Sequence, residues 1–95
     1  MIRSFGDGKT RRLFEDGRRR GFRGLDDDRA LMLLDSLDAA RSLAPLHALQ
    51  AVRLHPLVGP RRGQWAMTVN SRWRVTFRFD DGDAHDVEIQ DYHRG

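Results

Sequence analysis

From Gln64 onward, apolar and polar residues alternate along the chain. Trp65, Met67 and Val69 share one parity, as do Trp73, Val75, Phe77 and Phe79, and then Val87 and Ile89. A period of two is the mark of a strand with one buried face. Three strands are therefore predicted, joined at Asn70-Ser71-Arg72 and at Asp80-Asp81-Gly82. A two-residue Asp81-Gly82 turn would set Phe77 opposite Asp86, an apolar side chain beside a charge. A three-residue loop with Gly82 left-handed instead pairs Trp73 with Ile89 and Val75 with Val87. The same logic faces Val69 to Trp73 and Met67 to Val75. This register puts Arg74, Thr76 and Arg78 on the face away from the core. It predicts Arg74 opposite Glu88 as a cross-strand ion pair, and His85 opposite Phe77.

The first half of the chain follows a helical period. Ala30, Leu31, Leu33, Leu34 and Leu37 build one apolar face, and Asp26-Asp27-Asp28 precedes it. Carboxylates in a first turn complement the helix dipole, so a helix is predicted from Asp27 to Ser42, before Pro45. Consecutive carboxylates splay around a helix, so the acidic triplet reads as a cap rather than a metal site. A shorter helix, Lys9 to Asp16, is opened by Asp7-Gly8 and closed by Gly17, with Leu13 and Phe14 as its contacts. Met1 to Phe5 reads as a short strand. Leu46 to Val52 reads either as a helical turn or as the lead-in to a strand. Pro56 drives His55 into an extended conformation, and Gly59-Pro60-Arg61-Arg62-Gly63 is a basic exposed loop. The class is α+β: a small, largely antiparallel sheet packed against two N-terminal helices.

At 95 residues the chain is expected to be a single domain, 1–95, with one modest core. The absence of cysteine excludes disulfides and thiolate metal sites. No stretch reads as a signal peptide or a membrane span, so a cytoplasmic protein with no membrane partner is expected. The net charge is +3 and Lys9 is the only lysine. Arginine's planar fork suits phosphate better than a point charge does, and the basic balance points to polyanions. An arginine-rich composition also follows from a GC-rich genome. The Arg18-Arg19-Arg20 run reads equally as a solvated loop or as a phosphate-touching patch.

The residues with chemistry to offer lie near the end. Asp91-Tyr92-His93 sets a carboxylate, a phenol and an imidazole side by side, and imidazole moves protons near neutral pH without a shifted pKa. His55, at another strand end, is a second candidate; His47 and His85 have no comparable setting. His55, Asp91 and His93 fall short of the well-spaced set a zinc site needs. No metal or other cofactor is expected.

Taken together, His55-Pro56-Leu57, Gly63-Gln64-Trp65, Trp73-Arg74-Val75-Thr76-Phe77, Asp81-Gly82-Asp83-Ala84 and Asp91-Tyr92-His93 resemble HigB-type toxins of the RelE superfamily, and Ile2-Arg3-Ser4-Phe5 fits as well. The resemblance covers nearly the whole chain and rests on the order and spacing of the motifs. It implies the RelE-like microbial ribonuclease fold, cleavage of mRNA in the A site of the small ribosomal subunit, and neutralisation by a helix-turn-helix antitoxin, HigA. It assigns catalysis to His55, Asp91, Tyr92 and His93, and phosphate contact to Arg74. Relatives often carry a basic residue directly after His-Pro-Leu; here that position is Val58, and Arg61 or Arg62 would replace its charge from the loop. Two other classes stand beside this one. A gyrase-poisoning relative shares the scaffold without the ribonuclease residues, and the Asp91-Tyr92-His93 end argues against it. Val58 keeps open the third, a non-catalytic module retained for its antitoxin complex.

Overall fold

A computed structural model describes residues 1–92. Helix α1 spans Gly8–Asp16: Asp7 caps it by accepting from the Thr10 amide at 2.9 Å, and Gly17 closes it at φ 70°. Helix α2 spans Asp27–Ala39, and the first aspartate of the triplet, Asp26, caps it through the Arg29 amide at 3.1 Å. It ends short of the expected Ser42. Ala40, buried against the core, turns extended at ψ 134° and starts the chain towards Leu43 and Leu46. Pro45 does not terminate α2; it sits in the first turn of a short helix α3, Ala44–His47. That resolves the ambiguous stretch into one helical turn followed by an irregular segment.

Four strands follow: β1 (His55–Pro56), β2 (Trp65–Asn70), β3 (Trp73–Asp80) and β4 (Asp83–Asp91), antiparallel throughout in the order β1-β2-β3-β4. The alternation of the strands sets which face is buried. Met67, Val69, Trp73, Val75, Phe77, Val87 and Ile89 are all buried in one core with Leu33, Leu34 and Leu37 of α2. Burying side chains of this size stabilises by about 1.5–3 kcal/mol each.

Met67 faces Val75 as expected, but elsewhere the register differs from expectation in both hairpins. Asp80 pairs with Asp83, so the β3–β4 turn has two residues, Asp81 and Gly82, both left-handed at φ 50° and 80°. A bulge then sets Asp86 and Val87 together opposite Phe77, with Asp86 left-handed at φ 53°. The extra residue restores the parity, so Val75 faces Ile89 rather than Val87, and Asp86 is turned out of the core. The two-residue turn sets His85 opposite Arg78 instead of Phe77, and the bulge beyond it moves Arg74 opposite Gln90 instead of Glu88. In the β2–β3 hairpin Asn70, not Val69, faces Trp73 across a two-residue Ser71-Arg72 turn, again with a bulge.

The outer edge of β4 is not open. The segment Met1–Phe5 runs parallel to it with bridges at Ile2–Ala84 and Phe5–Val87. The Ala84 amide donates to Met1 O at 2.9 Å and the Val87 amide to Ser4 O at 3.0 Å. The next edge amide, that of Ile89, donates to the hydroxyl of Thr10 in α1 at 2.9 Å, and Thr10 is fully buried. At the other end of the segment Arg3 meets Asp83 at 3.1 Å.

Two measurements check this edge. Thr10→Val keeps the shape but leaves the buried Ile89 amide without an acceptor, so urea unfolding is expected to show a loss of roughly 1–3 kcal/mol, while Thr10→Ser recovers most of it. The Arg3 hydrogen bond holds the Asp83 carboxyl below its ordinary pKa. A depressed folded pKa contributes stability above the unfolded value that is lost as pH falls through the folded one. The stability gap between the wild type and Asp83→Asn is therefore expected to close in acid, and a gap independent of pH would contradict this.

Candidate active site

The residues expected to act together are carried by three parts of the sheet. The first is the far end of β4. Past Ile89, the last core residue, Asp91 pairs with Trp73 across the strands, and its carboxylate meets Arg72 Nε at 2.9 Å. The Tyr92 amide donates to Arg72 O at 2.6 Å, which leaves the phenol half exposed. The hairpin turn thus holds both residues by backbone and by charge. His93 lies outside the described residues.

This end of the sheet is also where the basic loop after α1 is strapped down. The Trp73 indole donates to Arg23 O at 3.0 Å, its ring meets Phe22 edge-on, and the Asn70 amide side chain bonds Gly24 O and the Asp26 amide. Two hollows lie along this loop, the second of them bordering the Asp91 end through Arg72. One, of about 630 Å³, is lined by Lys9, Arg12, Arg18, Arg19, Arg20 and Gly21. The other, of about 320 Å³, is lined by Arg23, Gly24, Ser71, Arg72 and Trp73. The arginine run is not uniform. Arg19 is drawn to the start of α2, 3.5 Å from Asp27 and 3.2 Å from Asp28, whereas Arg18 and Arg20 are exposed.

The second part is the middle of the sheet face opposite α2. Arg61 lies across it. Its guanidinium donates to Gln64 Oε1 at 2.8 and 3.2 Å, to Thr76 Oγ1 at 3.3 Å and to Gln90 Oε1. Gln90 is in turn oriented by donating to Glu88. The N-terminal segment passes Glu88 so closely that a Cβ on Gly6 would stand 2.5 Å from its carboxylate. Arg74, the cross-strand neighbour of Gln90, donates to Ser71 O at 2.8 Å and Trp73 O at 3.1 Å. Arg61 and Arg74 are therefore held by neutral oxygens, whereas Arg3, Arg19, Arg72 and Arg78 meet carboxylates. Neutral partners fix a guanidinium in place without cancelling its charge.

The third part is β1, on the opposite edge. His55 pairs with Ala66, is exposed, and places Nδ1 2.7 Å from Arg53 O. The sheet does not bring His55 and Asp91 into contact: three strand spacings, roughly 14 Å, separate their strands. Arg62 and Val58 are exposed in the loop beside β1, Val58 by 83%. Among the described residues no three His, Cys, Asp or Glu side chains gather as a metal site. Sequence reasoning missed Thr76, Gln64 and Gln90, because a threonine and two glutamines carry no signal until the register sets them beside Arg61.

A small antiparallel sheet backed by helices, with fixed cations on its open face and an Asp-Tyr pair at the end of its last strand, is the architecture of a compact RelE-like protein. Residues 3–93 match the model of the RelE-like toxin of the type II toxin–antitoxin system HigB, and the chain belongs to that family. Among curated proteins it is similar to Endoribonuclease HigB of Proteus vulgaris, with 41% identity over 93 residues, covering 98% of this chain and 100% of that one. Among solved structures it is similar in fold to a YafQ mutant from E. coli, with a TM-score of 0.57 and 19% identity over 93% of this chain and 89% of that one.

Arg61 and Arg62 are neighbours with different expected behaviour. Arg61→Met removes the shared donor of Gln64, Thr76 and Gln90, and is expected to cost about 1–3 kcal/mol in denaturant unfolding. Arg62→Met is expected to stay within about 0.5 kcal/mol. Equal losses would contradict the network.

Proposed function

We propose that the chain is the toxin of a type II toxin–antitoxin pair and acts as a metal-independent, ribosome-dependent endoribonuclease, cutting mRNA in the A site. The observation that carries this reading is the Asp91-Tyr92 end of β4 bordering the Arg23–Arg72 hollow through Arg72, beside a sheet face on which Arg61 and Arg74 are held by neutral oxygens. An RNA strand needs that combination: cations for its phosphates and proton-transfer groups beside one of them.

The chemistry follows from RNA's own nucleophile. A base takes the 2′-hydroxyl proton, the 2′-oxygen bonds to phosphorus, the bond to the 5′-oxygen breaks, and an acid protonates that oxygen. Positive charge stabilises the pentacoordinate phosphate between. Family membership supports His93 as the main proton-transfer residue, with Asp91 orienting it or serving as the base. Tyr92, half exposed, stacks on or positions the nucleotide. His55 supplies a second proton-transfer or phosphate contact. Arg74 holds the phosphate, and Arg61 adds a fixed cation on the same face. Arg62, Arg18 and Arg20 face solvent and meet more distant phosphates; Arg19 does so only by leaving Asp27 and Asp28. The partner is a HigA-like helix-turn-helix antitoxin, and a ribosome-bound substrate places the protein in the cytoplasm.

A second reading rests on Val58, an exposed apolar residue beside His55 where relatives often carry a cation. On that reading the chain binds its antitoxin but does not cut RNA. One experiment separates the two: programmed ribosomes are incubated with the toxin in the presence of a chelator that leaves the ribosome intact, and mRNA ends are mapped. The expected products are a 2′,3′-cyclic phosphate and a 5′-hydroxyl. His93→Ala and Asp91→Ala should each slow cleavage by about 10²–10⁴-fold while antitoxin binding persists, with His55→Ala milder. A 3′-hydroxyl product, or His93→Ala at the wild-type rate, would overturn the mechanism.

A further inference from the structure

The segment before β1 contains two left-handed residues that are not glycine, Ala51 at φ 62° and Arg53 at φ 54°. Side chains with a Cβ adopt this region at a cost, and it persists only where the surroundings impose it. Here they do. Between the two, Val52 is fully buried, and its carbonyl accepts from the Thr68 amide at 2.7 Å. Two residues on, His55 is paired with Ala66 in the sheet. Arg53 is thus pinned from both sides, and its backbone bends so that its carbonyl oxygen stands 2.7 Å from His55 Nδ1. A carbonyl oxygen only accepts, so the hydrogen of that bond belongs to the imidazole.

We infer that the left-handed carbonyl of Arg53 is a positioning group for the site, holding His55 as the Nδ1–H tautomer so that Nε2 is the nitrogen presented to RNA. The inference rests on the functional reading above and deepens it. A neutral imidazole has one donor and one acceptor, and engaging Nδ1 as donor leaves the Nε2 lone pair as the acceptor for a substrate proton. When protonated, the ring keeps the Arg53 bond and offers the Nε2 hydrogen to a phosphate or leaving oxygen. The backbone therefore supplies the orienting partner that a carboxylate supplies in a catalytic triad. This assigns Arg53 a role through its main chain, independent of its side chain.

The test is imidazole nitrogen NMR of the isotope-labelled full chain above the titration range of the ring. The expected spectrum shows His55 as Nδ1–H; a predominant Nε2–H form overturns the inference. Arg53→Val, β-branched and averse to positive φ, should lose that preference and lower RNA cleavage by roughly tenfold or more. Arg53→Gly, which adopts φ 54° freely, should restore both relative to the valine variant. Failure of glycine to restore the tautomer would shift the effect to the arginine side chain and overturn the assignment. Should Arg53→Val not fold, the wild-type spectrum and the glycine variant still decide. A failure of the functional reading looks different: the wild type then leaves mRNA on programmed ribosomes uncut, or His55→Ala cleaves at the wild-type rate, whatever the tautomer.

Discussion

The hydrogen bond from the Ile89 amide to the buried Thr10 hydroxyl fixes the relation between the two halves of the molecule. β4 is the last and longest strand, and its outer edge would otherwise present bare amides to solvent or to another chain. The N-terminal segment satisfies that edge at Ala84 and Val87, and Thr10 satisfies it at Ile89. The position of α1 is set by the same contact. So, through the Gly17 turn, is the start of the arginine-rich loop that follows. Two residues beyond Ile89 stands Asp91. One buried bond therefore lies between the segment that carries the cations and the strand that carries the carboxylate.

Charge is distributed with similar economy. The chain has many arginines, and the structure sorts them by partner rather than by sequence neighbourhood. Arg3, Arg19, Arg72 and Arg78 meet carboxylates, and exposed pairs of this kind contribute little to stability. Arg61 and Arg74 lie on the sheet face among carbonyl, amide and hydroxyl oxygens. Their positions are set while their charge remains available. An anion on that face meets donors already in place, and ordering them adds no cost at the moment of binding.

Much of this was legible in the sequence, and the reasons for the remainder are specific. The caps at Asp7, Gly17 and Asp26 and the apolar face of α2 followed from local chemistry, which the tertiary structure did not override. Strand parity followed from the alternation of Trp73, Val75 and Phe77. Register followed only at Met67–Val75, because the pairing argument assumed an unbroken ladder. Asp86 breaks it: a left-handed aspartate at a bulge gives no signal that a glycine would have given. The same slip misassigned Arg74 to Glu88 and hid the Gln90–Arg61 contact. Arg53 was invisible for a related reason, since its conformation is imposed by the burial of Val52 and by the β1 pairing. Asp91, Tyr92 and His55 stood out as candidates by residue type, but the spacing of their strands across the sheet did not.

The shape of β1 carries a consequence of another kind. It contributes two residues to the sheet, and one of them, Pro56, has no amide hydrogen to offer. At the opposite margin the N-terminal segment already occupies β4. Among the described residues both margins are thus partly blunted, and self-association by edge pairing is discouraged there. Contact with other macromolecules at these two covered stretches falls to side chains and surface shape rather than to strand addition. A single proline and a short parallel segment thus bias these margins towards contacts made by side chains.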